Sequence, residues 1–509
     1  MTRKAQHETV PKPRVLVVTP EITYLPAGMG NMANRLTAKA GGMADVSASL
    51  VSALFDLGAD VHVALPHYRR MFHVDVANLI NEELRVYKSR LPDSRIHLAE
   101  DRVFYYRDAV YSGDQGDARL ALAFQREIVN NIIPTVKPDL VHCNDWMTGL
   151  IPAYARRLNI PALFTVHNIH TQMVTLAALE DSGIDAAEFW RHLYFSRLPG
   201  AYEETRTSNP VDLLATGIFA AHFINTVSPT FLDEVCAGRH GFIPPQIRRE
   251  VLEKRRQDAA TGILNAPDPR FNPATDALIA SRFTAETHAE AKRQNKRVLQ
   301  ERLGLEVDGA APLFYWPSRL DPAQKGCQLL AGILYDVMSS YAAEKLQVAV
   351  IANGVFQNVF HELADSHRLR HRVAVCPFNE ELSHLAYAAS DFVLMPSLFE
   401  PCGLPQMIGM LYGSLPVAHD TGGLHDTVSP LDAAGHTGNG FRFETYDNNG
   451  LRWAIGQAMA FHGQPPEVKD PEVARVMREA QASFNPEATA RKYIDIYETM
   501  LNRPLVNPS

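Results

Sequence analysis

The sequence predicts an α/β protein built as two doubly wound domains facing a central cleft. Three observations predict it. Short apolar runs of strand length recur along the 509 residues, each leading through a turn into a helical pattern. The runs form two successive sets, one before and one after residue 260. A single core stops growing near about 250–300 residues, so a chain of this length divides.

The first set comprises 15–19 (VLVVT), 61–65 (VHVAL), 140–143, 162–166 (ALFTV) and 224–227. The second comprises 313–316, 347–351 (QVAVI), 372–375, 392–396 (FVLMP) and 415–418. Alternation with helices predicts parallel sheets covered on both faces. The join falls within 241–276, which holds a charged run at 248–256 and the turn-rich NAPDPRFNPATD. The charged run reads as a solvated helix face. A largely polar helix is expected over 285–303 and a last helix over 486–502. The expected division is therefore 1–260, 261–485 and a terminal helical segment, 486–509.

Composition excludes several classes of function. The formal net charge of -8 gives no basic footprint for nucleic acid. The five cysteines, Cys143, Cys236, Cys327, Cys376 and Cys402, form no CxxC pair, which suits a reducing cytoplasm rather than a disulfide framework or zinc site. The polar start of the chain lacks the apolar region of a secretory signal, and no run approaches the roughly 20 apolar residues that span a bilayer. The 20 histidines include no HExxH spacing. The expectation is a cytoplasmic protein with no membrane, nucleic-acid or metal partner.

In open α/β sheets ligands bind where strand ends turn into helices, and four such turns carry chemistry. Lys39-Ala40-Gly41-Gly42 opens a helical pattern, so amides at a helix start and a lysine charge suit a phosphate. Ser318-Arg319-Leu320-Asp321-Pro322-Ala323-Gln324-Lys325-Gly326 brackets a turn with two cations, which suits a diphosphate. Glu400-Pro401-Cys402-Gly403-Leu404 sets a carboxylate beside a helix start, which suits a sugar attached to phosphate. Thr421-Gly422-Gly423 repeats the glycine turn. Each alone is also what a plain turn, a solvated cation or a helix-capping glutamate looks like; the four together argue for a nucleotide-sugar site. Cys402 reads as a small packed residue. His142 and His167 each follow an apolar strand, and His142 reads as structural.

These residues resemble the glycogen/starch synthase family of retaining glycosyltransferases with the two-Rossmann (GT-B) fold. The family pattern K-x-G-G-[LM]-x-D-V lies at 39–46, H-x-x-D-W at 142–146, T-V-H-N at 165–168, and N-T-V-S-P at 225–229. G-I-L-N is 262–265, and the stretch 396–428 (PSLFEPCGLPQMIGMLYGSLPVAHDTGGLHDTV) is the most specific match. The resemblance implies transfer of glucose from ADP-glucose to an α-1,4-glucan such as glycogen, with retention and without a metal or other cofactor. It implies that Lys39, Arg319 and Lys325 neutralise the leaving diphosphate. Glu400 would hold the glucose hydroxyls with the amides of Cys402, Gly403 and Leu404, and His167 would contact the glucose. Gly41, Gly42, Thr421, Gly422 and Gly423 would line the donor site. Asn265 would line the donor sugar site, Asp145 and Gln172 would line the sugar and acceptor side, and Phe378 would stack on the base. It also implies that the last helix packs back on the first lobe.

Several departures bear on donor and acceptor. The segment 25–38 is long, the Arg319-to-Lys325 spacing exceeds the family's by one residue, and Asn265-Ala266-Pro267-Asp268 replaces N-G-[IV]-D. A glycine is missing after Gln172, and His419-Asp420 is unusual. A UDP-glucose donor, another acceptor, or a non-catalytic glucan-binding role are the alternatives. A glycogen phosphorylase is disfavoured, because no lysine signature for pyridoxal phosphate is present.

Overall fold

A computed structural model describes residues 12–30, 32–73, 95–113 and 115–506. Most of the polar N-terminal stretch read above lies outside the described residues, as does Asn31 within 25–38. The chain forms two compact units. The first comprises 1–226, 235–263 and 486–509; the second comprises 227–234 and 264–485.

The first unit contains β1 (Arg14–Val18), β2 (Asp60–Pro66), β3 (Ile96–Ala99), β4 (Leu140–Asn144), β5 (Ala162–Val166), β6 (Met173–Val174), β7 (Val211–Asp212), β8 (Phe223–Thr226) and β9 (Ala260–Gly262). Seven of these form one parallel sheet in the order β3-β2-β1-β4-β5-β8-β9, and β6 and β7 form a separate antiparallel pair. β4 and β5 are buried at every position, as strands covered on both faces must be.

The second unit contains β10 (Leu313–Trp316), β11 (Gln347–Ile351), β12 (Val373–Cys376), β13 (Phe392–Met395), β14 (Leu415–His419) and β15 (Phe441–Phe443). They form one parallel sheet in the order β12-β11-β10-β13-β14-β15. This is the doubly wound order, in which the winding reverses between the first and fourth strands; here that switch lies between β10 and β13. The first sheet reverses in the same way between β1 and β4.

Sequence runs match the central strands to within a residue or two at each end. The edge strands β3, β9 and β15 have no counterpart in the sequence reading. β3 and β9 are only partly buried, so they carry no continuous apolar run. The charged run 248–256 lies on helix Pro245–Arg256, with Arg248, Arg249, Arg255 and Arg256 exposed. Lys254 departs from that reading, because it is buried and donates to the Ala221 carbonyl. The long segment 25–38 is closed at its base by Ile22 and Ala38, each donating to the other's carbonyl at 2.9 and 2.7 Å. Leu25, Met29, Ala33 and Leu36 within it are buried, so it packs as part of the unit.

Helix Pro486–Leu501 belongs to the first unit, and side chains lock it there. Thr165 Oγ1 donates to Asn225 Oδ1 at 2.6 Å, which leaves it to accept from His142 Nε2 at 2.7 Å. His142 Nδ1 then accepts from Tyr497 Oη at 2.7 Å, and Asn225 Nδ2 donates to Tyr493 Oη at 2.9 Å. Every member is buried, so each polar atom needs its partner. Burial holds the His142 imidazole neutral, with its pKa lowered to about 3.

Candidate functional site

In the second unit the chemistry gathers at the carboxyl ends of β10 and β13, the switch point of its sheet. Lys325 Nζ meets Glu400 Oε2 at 2.6 Å, and Ser397 Oγ donates to the same oxygen at 2.9 Å. Both members of the ion pair are largely buried. Two backbone features bring them together. Gly326 has φ +72°, and a Cβ there would come 1.9 Å from the Pro396 carbonyl oxygen, so only glycine lets the β10 turn lie against the β13 turn. Gly422 has φ +45°, and a Cβ would come 2.1 Å from the Glu400 carbonyl oxygen. The Gly423 amide donates to that oxygen at 2.9 Å.

Arg319 lies on the same turn as Lys325 and is exposed. Cys402 is buried, and desolvation pushes its thiol up to about 12, which makes it inert as a nucleophile. Gly403 and Leu404 precede helix Pro405–Leu411. Asn265 is buried, and its Oδ1 has no hydrogen-bond partner among the described residues, so it is available to a ligand donor. Phe378 is 49% exposed, its amide anchored to Asn353 Oδ1 at 2.9 Å.

The Thr421-Gly422 turn differs from a free phosphate cradle. Glu234, which the sequence reading did not single out, accepts from the Gly422 amide at 3.1 Å and from Thr421 Oγ1 at 3.2 Å. A carboxylate of the chain already serves the first amide of this turn.

The first unit has a parallel arrangement at the carboxyl ends of β1, β4 and β5. Gly41 caps helix Gly42–Asp56, and Lys39 Nζ pairs with Asp45 Oδ2 at 2.7 Å. Glu21, also missed from sequence, accepts from the Ala40 and Gly41 amides at 2.7 and 3.0 Å. Those two amides are therefore taken by a buried carboxylate, whose pKa is raised chiefly by desolvation. The signal for Glu21 was its place after the first strand; Glu234 lies far in sequence from the turn it serves.

Asp145 has φ +57°, and its Oδ1 accepts from the His167 amide at 2.7 Å. Desolvation, with the Glu21 charge adding to it, raises the Asp145 pKa to about 7. His167 Nε2 donates to Asn144 Oδ1 at 2.9 Å, an orientation fixed by Asn144 Nδ2 donating to the Val18 carbonyl. Nδ1 is then the acceptor nitrogen of a neutral ring, held so by burial, with the pKa lowered to about 4. Gln172 follows Thr171, whose Oγ1 donates to Asp212 Oδ1 at 2.6 Å, and its carbonyl accepts from the Leu213 amide at 3.1 Å. Among the described residues, no group of three or more His, Cys, Asp or Glu side chains is placed to hold a metal ion, and no helix is long and apolar enough to cross a membrane.

Comparison with known proteins gives these residues a context. The family model for the starch synthase catalytic domain matches residues 14–244, and that for glycosyl transferases group 1 matches 311–460. The glycogen synthase of Geobacillus thermodenitrificans is 31% identical over 499 residues, covering 92% of this chain and 96% of its own. That of Exiguobacterium sibiricum is 34% identical over 454 residues, covering 84% and 90%. The chain belongs to the glycogen synthase family. As a member of the glycogen synthase family it is a glycosyltransferase of the hexosyltransferase class. Its fold is that of the catalytic domain of starch synthase IV from Arabidopsis thaliana, solved bound to ADP and acarbose, with a TM-score of 0.77, 26% identity, and coverage of 97% of this chain and 100% of that one. Sucrose-phosphate synthase from Thermosynechococcus elongatus shares the fold, with a TM-score of 0.57 at 16% identity.

Proposed function

We propose that this glycogen synthase family member transfers glucose from ADP-glucose to the non-reducing end of an α-1,4-glucan, with retention of configuration. The observation that carries the reading is the buried Lys325–Glu400 pair at the switch point of the second sheet, 2.6 Å apart. A diphosphate leaving group gains negative charge as the C1–O bond breaks, and preorganised cations stabilise that charge most where water is excluded. Lys325 and Arg319 fill that role in the second unit, and Lys39 in the first. Glu400, oriented by Ser397, accepts from glucose hydroxyls, and Asn265 Oδ1, which has no hydrogen-bond partner among the described residues, takes another. His167, with Nδ1 as acceptor, binds a sugar hydroxyl as a neutral group. Asp145 and Gln172 serve the sugar and acceptor side, and Phe378 offers a half-exposed ring to the base. The adenine choice is supported by the starch synthase IV structure that binds ADP. No metal enters this account, since the cations carry the charge. A cytoplasmic setting, where glutathione keeps thiols reduced, suits five free cysteines.

The test is transfer of labelled glucose into glycogen by the purified protein, with ADP-glucose and UDP-glucose in parallel. Incorporation from ADP-glucose, abolished about a hundredfold or more in Glu400→Gln and strongly reduced in Lys39→Ala, is expected. A UDP-glucose preference overturns the donor. Retention on glycogen without turnover from either donor overturns the enzymatic reading.

A further inference from the structure

Strands β10, β11 and β12 lie side by side, so the turns that leave their carboxyl ends are neighbours. The β10 turn carries Arg319 and Lys325, and the β12 turn carries Phe378. Between them the β11 turn, Ala352-Asn353-Gly354, is tied to both. The Asn353 carbonyl accepts from the Leu320 amide at 2.9 Å. Its side-chain Oδ1 accepts from the Phe378 amide, also at 2.9 Å. Gly354 lets the β10 and β11 turns close on each other: at φ +145°, a Cβ there would come 2.6 Å from the Leu320 carbonyl oxygen. The Phe378 ring is half-exposed, so packing alone does not fix it. Pro377 has no N–H, so the Phe378 amide is the first past β12 that a neighbouring turn can hold. Beyond it Asn379 caps helix Glu380–Ala389, its Oδ1 accepting from the Leu382 amide at 2.9 Å. The backbone that bears the ring is therefore pinned on one side by Asn353 and on the other by the helix start.

We infer that Asn353 is a positioning residue for the donor nucleotide, one that straps the base-stacking Phe378 to the Arg319–Lys325 turn. The inference rests on the reading above that Phe378 meets the base. A nucleoside diphosphate has a limited reach from base to diphosphate, so the ring and the cations must be spaced to match it. Fixing that spacing before the nucleotide arrives adds affinity, because no loop has to be ordered on binding. Asn353 acts through Phe378, since its Oδ1 is spent on the Phe378 amide. The two arms of the strap are separable. Truncating the side chain removes the bond to Phe378 and leaves the backbone bond to Leu320 in place. The loss then falls on the base and not on the diphosphate.

The experiment compares the full chain with Asn353→Ala, Phe378→Ala and the double variant. Both side chains are exposed, so the variants keep the fold. Readouts are binding of ADP and of inorganic pyrophosphate by titration calorimetry, and kcat and KM for ADP-glucose. One hydrogen bond sets the scale, so Asn353→Ala is expected to weaken ADP binding and raise the ADP-glucose KM about threefold to tenfold, with kcat unchanged. Pyrophosphate, which has no base, should bind variant and parent alike. The double variant should bind ADP no more weakly than Phe378→Ala, because the two residues act as one unit. Unchanged ADP binding in Asn353→Ala overturns the positioning role, as do additive losses in the double variant or an equal loss for pyrophosphate. Phe378→Ala separates this role from the reading beneath it. If that variant binds ADP as the parent does, the ring does not meet the base and both fall. If it binds ADP more weakly while Asn353→Ala does not, the base reading stands and the role of Asn353 alone falls. The calorimetric arm needs no turnover, so it decides the inference whichever acceptor the enzyme takes.

Discussion

Glu400 and Lys325 neutralise each other within the second unit, and removing one partner strands the other. Lys325 is largely buried, so Glu400→Gln leaves an uncompensated cation and costs stability as well as activity, on the order of 1–3 kcal/mol. Chemical denaturation of the variant measures it; an unchanged midpoint shows that water, rather than Glu400, balances the lysine. Asp145 gives a pH-dependent case. Its folded pKa of about 7 lies above the ordinary value of about 3.9, so the native state holds this proton more tightly than the unfolded chain. The contribution to stability is then fully present below the unfolded value and declines as pH rises between about 4 and 7. Asp145→Asn abolishes that decline, so its melting temperature relative to the parent should be more favourable at pH 8 than at pH 5. A pH-independent difference contradicts the raised value. Gly326→Ala adds a methyl group against the Pro396 carbonyl at a positive φ, and a loss of about 2 kcal/mol or more follows, measured by thermal unfolding.

Among elements, the terminal helix Pro486–Leu501 shows how distant sequence is joined by polar chemistry. Tyr497→Phe removes the donor to His142 Nδ1 and leaves a buried acceptor unsatisfied, so a loss of about 1–3 kcal/mol is expected from the denaturation midpoint. His142 and Tyr497 are 355 residues apart, and nothing local in either marks the bond. Central strands are a different matter. β4, β5, β10 and β11 read directly as apolar runs because both of their faces are covered. β3 and β9, at the sheet's edges, are stabilised by pairing with a neighbour, which composition does not record. The buried cations show the same limit. Lys292 and Lys296 fall in what reads as a polar helix over 285–303, yet both are buried on the observed helix His288–Leu303, Lys296 on Asp391 at 2.6 Å and Lys292 on the Tyr412 carbonyl at 2.8 Å.

On the scale of the whole molecule, two parallel sheets of the same winding each carry charged side chains at strand-end turns, and in the proposed reaction lysine and arginine side chains, rather than a metal, take the charge of the leaving diphosphate. Activity of the enzyme dialysed against a chelator should therefore equal that of the untreated protein, assayed with labelled ADP-glucose. Loss of activity restored by a divalent ion contradicts the assignment of that charge to Lys39, Arg319 and Lys325.

Taken by itself, the sequence determined the α/β class, the two sets of parallel strands, the family, and the turns on which Lys39, Lys325, Glu400 and Gly422 sit. It did so because buried strands need apolar runs, and tight turns need glycine, wherever they occur. Tertiary structure alone decided which partner each polar group meets. It put Glu21 on the Ala40 and Gly41 amides, Glu234 on Gly422, and Lys325 on Glu400. Hydrogen bonds and ion pairs act over about 3 Å in space, and residues that close are often hundreds apart in the chain.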